Sequence, residues 1–150
     1  MKKINYITNQ DKWLQEFSFS TIIKPRFSET DMFGHVNNTV MFVYFEQARI
    51  EFLQQLGLFK DATKEKDVIP VVADLQCDYH KPLFFNDQLH LYVEVNDIGK
   101  TSFDLHYLGM NDNNEMCVTG RGRMVQIHSN SGKPVAFADT TLEQLHNVEL

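Results

Sequence analysis

Asp31, Gly34, His35, Asn37 and Asn38 fall close together, just ahead of a dense apolar run that opens at Val40. A carboxylate and an imidazole in that place can do chemistry. The first amides of a helix have no internal partner and point out of its N-terminus, where they favour negative charge. Asp31 can activate water or attack, His35 can orient or share a proton, and the amides can hold an oxyanion; together these are the parts of an acyl-transfer site. The same residue types also cap and turn chains for purely structural reasons, and Gly34 permits a tight backbone path. Composition alone leaves both readings open.

The elements that must position this segment follow from periodicity. Residues 39–56 read as one helix, with Met41, Phe45, Ala48, Phe52 and Leu56 on one face and Val40, Phe42, Val43 and Tyr44 adding bulk around the first turns. Such a helix is apolar almost all round at its start and needs other structure wrapped about it. Asn37 or Asn38 can cap it, and Gly57 sits where a C-terminal cap belongs. Ahead of it, a period of two from Phe17 predicts a strand to about Phe27, with Phe17, Phe19, Thr21 and Ile23 on one side and a bulge or edge at Pro25. Trp13 and Leu14 dock a short N-terminal element. After a polar connection over 58–67 with at most one helical turn, strands are expected at 68–79, 88–96, 102–110 and 116–129, joined largely by tight turns. Gly120 and Gly122 mark a bend or bulge in the last strand, and Thr140 to Glu143 has capping-box spacing for a short terminal helix. One strand, one long helix, then four strands make an α+β chain: an antiparallel sheet of about five strands covering one central helix, in a single domain over 1–150.

Composition narrows the function classes. The chain has 150 residues, 43% of them hydrophobic, and twelve Phe, enough for a thick aromatic core or a large apolar pocket. Its net charge of −6 argues against a nucleic-acid partner. No long apolar stretch predicts a membrane span or an export signal, so a cytoplasmic place is expected. Cys77 and Cys117 lack paired spacing and read as reduced, mostly buried thiols. The six His are scattered, and no metal site is expected. His80, His90, His106 and His128 read as surface or strand-face residues without a function.

"DMFGHVNNTVMFVYFEQAR", from Asp31 to Arg49, resembles the hotdog-fold acyl-CoA thioesterases of the 4-hydroxybenzoyl-CoA thioesterase family. In that family Asp-x-x-Gly-His-Val-Asn-Asn precedes the central helix, which runs on to Glu-x-Ala-Arg; here these are Asp31, Gly34, His35, Val36, Asn37, Asn38, Glu46, Ala48 and Arg49. "YHKPLFFNDQL" also resembles the family's Tyr-x-x-Pro and Asp-x-Leu, at Tyr79, Pro82, Asp87 and Leu89. The resemblance spans about residues 17–145. It implies a sheet wrapped around the helix, homodimers joined edge to edge or homotetramers, sites at the subunit interface, and an acyl-CoA substrate hydrolysed to free acid and coenzyme A without a cofactor.

Carried over residue by residue, Asp31 matches the catalytic carboxylate, as nucleophile or general base. The amides near Asn38 match the donors that polarise the thioester carbonyl, and His35 matches a position that is His in many members. Gly34, Val36, Asn37, Thr39 and Met41 belong to the substrate-binding segment. Met41 stands where many relatives have Tyr, a difference that bears on the acyl pocket. Phe33 stands where the plant acyl-carrier-protein thioesterases have Asn, which separates this chain from their mechanism. Arg121 and Arg123, two apart on one strand, are candidates for the phosphates of coenzyme A, with Lys100 and Lys133 beside them; the alternative is a solvated basic face. Glu46 and Arg49 read as a helix ion pair, and Asp74 as a strand-end carboxylate. An acyl-carrier-protein thioester, or acyl-CoA binding without turnover, are the competing functions; the helix-start string of the enoyl-thioester hydratases is absent.

Overall fold

The computed structural model describes residues 2–58 and 67–148. Most of the polar connection expected over 58–67 thus lies outside the described residues. The elements are α1 (Gln10–Gln15), β1 (Phe19–Ile23), α2 (Val40–Gln55), β2 (Val68–Tyr79), β3 (Leu89–Asn96), β4 (Ser102–Met110), β5 (Met116–His128) and α3 (Asp139–His146). The strands form one five-stranded sheet in the order β1-β3-β4-β5-β2, and every neighbouring pair is antiparallel. The α+β arrangement expected of the sequence, five strands around one long helix, is therefore the one observed.

The inner face of the sheet packs on α2. Phe45, Ala48 and Phe52 are fully buried, with Met41, Tyr44 and Leu53 nearly so. The Phe45 ring stacks on Tyr107 of β4, centroids 4.4 Å apart and planes 10° from parallel. Gly120 of β5 lies beneath that ring: a Cβ there would stand 2.4 Å from Phe45 Cε2 and 2.8 Å from the Gln76 carbonyl. Gly120 thus serves close approach rather than the bulge expected of it. The irregularities fall at Ala73 of β2, between Val72 and Asp74, and at Cys117 of β5, opposite Gly109 and Met110, so the last strand does carry a bulge, but three residues before Gly120. At its far end α2 stops as expected: Gly57 has φ +76, its N–H donates to the Gln54 carbonyl, and the Leu58 N–H reaches back to Leu53.

Two further local expectations are corrected. The first strand is shorter than 17–27. Pro25 removes a donor, and residues 27–29 close a 3-10 turn instead. Phe17 lies outside the strand and turns to the opposite face from Phe19, edge-on to Trp13 at 4.8 Å and to Tyr92 at 6.2 Å. The capping box at Thr140 does not form: the cap falls two residues earlier, on Ala138, which has no side-chain bond to give.

The outer face of the sheet carries polar side chains, and the N-terminal segment covers part of it. Trp13 of α1 is buried, and its Nε1–H donates to His106 Nδ1 at 2.9 Å. His106 is on a strand face as read, but buried. Beside it Glu94 is buried, with Oε1 lacking a hydrogen-bond partner among the described residues and 3.4 Å from His106 Nδ1. Burial, opposed by His106 and reinforced by the negative charge of Glu16, holds the Glu94 carboxyl above the usual range. With a folded pKa above the unfolded one, the ionised carboxylate costs stability at neutral pH. That cost disappears as pH falls through the folded pKa toward the unfolded value of about 4.3. Glu94→Gln is therefore expected to raise the melting temperature at pH 7 and to leave it unchanged near pH 4; a lower melting temperature at pH 7 would contradict this sign.

Candidate active site

The segment ahead of α2 is held from three sides. Thr30 and Val36 form an antiparallel bridge, the Asp31 N–H donates to the His35 carbonyl at 2.8 Å, and the Asn37 N–H donates to the Glu29 carbonyl at 2.8 Å. Residues 31–35 are thus the tip of a small hairpin, and Gly34 makes its turn with φ +79. The Glu29 carboxylate accepts from the Arg26 N–H at 2.8 Å and from the Tyr44 hydroxyl at 2.9 Å, which ties the hairpin to α2. From the other side, the Val36 N–H donates to the Leu83 carbonyl at 2.7 Å, and His35 bridges to Phe84. Asp87 fixes that second segment, its carboxylate accepting from the Phe84 N–H at 2.8 Å. The second motif read in the sequence, through Pro82 and Asp87, is therefore the support of the first.

Within the tip, Asp31 Oδ1 accepts the Phe33 N–H at 2.9 Å and the His35 N–H at 3.3 Å. Oδ2 has no partner among the described residues. The carboxylate is half-buried, fixed by one oxygen and open at the other. The imidazole of His35 makes no hydrogen bond among the described residues. It stands edge-on to Phe84, centroids 5.0 Å apart at 84°, and serves Asp31 through its backbone rather than its ring. Exposed apolar groups surround the tip: Met32 at 90%, Phe33 at 74% and Phe84 at 45% exposure.

The cap position falls on Thr39, whose side chain makes no capping bond, and Asn37, one of the two residues expected there, instead closes the turn just ahead of the helix. Its Oδ1 accepts the Thr39 N–H and the Thr39 hydroxyl, both at 3.0 Å, and its carbonyl accepts the Val40 N–H at 3.0 Å. Asn38 keeps its backbone N–H without a partner among the described residues, while its carbonyl accepts the Tyr79 hydroxyl at 2.5 Å. One free amide at a helix N-terminus and one half-open carboxylate thus belong to the same short segment. Met41 is buried beneath it, within the core.

Arg121 and Arg123 lie elsewhere. The residue between them and Arg121's own neighbour, Gly122 and Gly120, face inward, so both guanidiniums stand on the outer face, away from α2. Arg121 donates to both Asp104 oxygens at 2.9 Å and to Asp74 at 3.0 Å. Arg123 meets Asp104 at 3.1 Å and Asp97 at 2.9 Å. Burial works to raise the Asp104 carboxyl, but the bonds from the two arginines outweigh it and hold it below the usual range. A phosphate reaching either arginine would compete with these carboxylates. Arg49 is buried, not exposed, its guanidinium 3.3 Å from the Tyr107 hydroxyl and 3.7 Å from Glu46. A cavity of about 420 Å³ lies at the opposite end of α2, lined by Leu53, Leu58, Phe103, Met124, Phe137 and Thr141 among others, and includes none of the Asp31 segment. Cys77 and Cys117 are unpaired, and burial pushes the Cys77 thiol up to about 11. Sequence reading missed Glu29 altogether; Tyr79 was visible only as part of a motif, without a role.

A five-stranded antiparallel sheet around one helix, with an acidic hairpin tip leading into the helix start, is the architecture of the hotdog thioesterases. Residues 25–145 match the thioesterase-like superfamily, and the chain belongs to it. It is 42% identical over 134 residues to the uncharacterized protein YsmA of Bacillus subtilis, covering 89% of each chain. Among solved structures it resembles the PA5185 protein of Pseudomonas aeruginosa, with a TM-score of 0.79 and 25% identity over 88% of this chain and 92% of the other. It also resembles a DHNA-CoA thioesterase from Staphylococcus aureus, with a TM-score of 0.73 and 25% identity over 78% of each. No helix among the described residues is long and apolar enough to cross a membrane.

Proposed function

We propose that the protein hydrolyses acyl-CoA thioesters in the manner of the 4-hydroxybenzoyl-CoA thioesterases, with Asp31 as nucleophile or general base and the Asn38 N–H as oxyanion donor. The observation that carries this reading is the pairing, in one braced segment, of a carboxylate oxygen and a helix-start amide that both lack a partner among the described residues. So few parts suffice for a thioester. A thiol has a pKa of about 8.5 and leaves without much acid help, whereas a correctly aimed oxyanion donor is worth roughly 3 kcal/mol. No cofactor enters this chemistry. His35 braces the tip through its backbone, and Gly34, Val36, Asn37 and Thr39 shape the walls.

The exposed edge of β2 is the proposed dimer seam. β2 is the longer of the two edge strands, with twelve residues against five in β1. It leaves Ile69, Val72, Leu75 and Tyr79 exposed, and an unpaired edge of that kind invites a second strand. A homodimer, or a homotetramer built from it, would then supply the other wall of the acyl site, and a coenzyme A substrate fits a cytoplasmic enzyme. The test is thiol release from short, medium, long and aromatic acyl-CoAs, the last because a similar structure is a DHNA-CoA thioesterase. Hydrolysis of at least one, with acid and thiol in equal amounts, is expected. Tight binding with no thiol released would make the protein an acyl-CoA binder instead.

A further inference from the structure

We infer that Tyr79 is a positioning residue for the Asn38 amide, an inference that rests on the hydrolase reading above. Asn38 is held between two peptide groups. The N-terminal side is fixed by Asn37, whose N–H goes to Glu29 and whose carbonyl takes the Val40 amide. The C-terminal peptide is held at the Thr39 N–H by Asn37 Oδ1 and at the Asn38 carbonyl by the Tyr79 hydroxyl, the bond that ties it to the sheet. Tyr79 is the last residue of β2, paired with Val118 of β5, and the next residue, His80, donates its N–H to the Cys117 carbonyl at 2.8 Å. The phenol is therefore anchored in the sheet, and the loop it holds starts the helix. Through this bond the sheet braces the Asn38 carbonyl, and with it the residue whose N–H has no partner among the described residues.

That matters because hydrogen bonds weaken steeply as they bend, from a preferred angle above about 150° to little below about 120°. An amide that swings with a loose helix start would meet a developing oxyanion poorly, at a cost paid in the transition state and little in substrate binding. The phenol also stays a donor: burial first, and the neighbouring Cys77 second, raise its pKa beyond the ordinary tyrosine range. The bland alternative is that a half-exposed edge tyrosine (50%) merely braces a loop, and the kinetic signature separates the two.

The full-length chain and the acyl-CoA it hydrolyses fastest serve for the test. Tyr79→Phe keeps the ring and removes the donor. It is expected to lower kcat about tenfold with KM within about twofold, to shift the melting temperature by only a few degrees, and to speed hydrogen exchange at the Thr39 amide alone. Wild-type kcat, a change carried by KM, or a general loss of exchange protection overturns the inference. Should the variant fold poorly, a fluorinated tyrosine placed at 79 keeps ring and hydroxyl; kcat should then follow phenol acidity at constant KM, and no response overturns the inference. Hydrolysis by the wild type, lost in Asp31→Asn but kept in Tyr79→Phe, removes this inference and leaves the hydrolase reading standing. A wild type that releases no thiol from any substrate removes both.

Discussion

Asp31→Asn is expected to lower kcat/KM by on the order of 10²–10⁴, the range over which a positioned acid or base contributes, while fold and oligomeric state persist. The structure explains why this substitution is so selective. Asn retains a side-chain oxygen that can accept the Phe33 and His35 amides, as Asp31 Oδ1 does at 2.9 and 3.3 Å. The hairpin tip therefore keeps its shape. What is lost is the charge on the second oxygen, and with it the ability to attack the thioester or to take a proton from water. Asp31→Ala is a poorer probe, because it also frees two amides and loosens the tip. A near-native rate in Asp31→Asn, measured with the best acyl-CoA of the panel, would move the chemistry to another residue.

Phe45→Ala is expected to carry the largest stability cost, about 3–5 kcal/mol. Phe45 is fully buried, stacked on Tyr107 and seated on Gly120, which has no side chain with which to refill the space. The surroundings can collapse little, since Gly120 is fixed in register with Tyr107 on one side and Cys77 on the other. For a chain of this size each kcal/mol moves the melting temperature by roughly 2–4 °C, so a fall of about ten degrees should be seen in a thermal or denaturant titration. A loss below about 1 kcal/mol would mean that α2 does not sit on the sheet as described.

Much of this was legible in the residues, because local pattern and burial agree there. The apolar positions of 39–56 mark the helix that the sheet must cover, and Met41, Phe45, Ala48 and Phe52 are its buried face. The string from Asp31 to Asn38 is rich in turn formers, so the hairpin tip and the turn that leads into the helix could be read together. What stayed hidden depends on distant partners. Nothing local marks Glu29 as the brace between hairpin and helix, or Arg49 as buried against Tyr107. Phe17 obeys the strand period of its neighbours, yet Trp13 and Tyr92 draw it to the other face. Arg121 and Arg123 look like free cations in the sequence, because their carboxylates come from β2, β4 and the turn after β3. Tyr79 had a motif but no role until its hydroxyl was found on the Asn38 carbonyl.

The most direct test of the central claim measures binding and thiol release side by side, in wild type and Asp31→Asn, with the same acyl-CoA. Both proteins are expected to bind the thioester with similar affinity, and only the wild type to release coenzyme A thiol at an appreciable rate. Equal release by both, or binding by both without release by either, would contradict the claim.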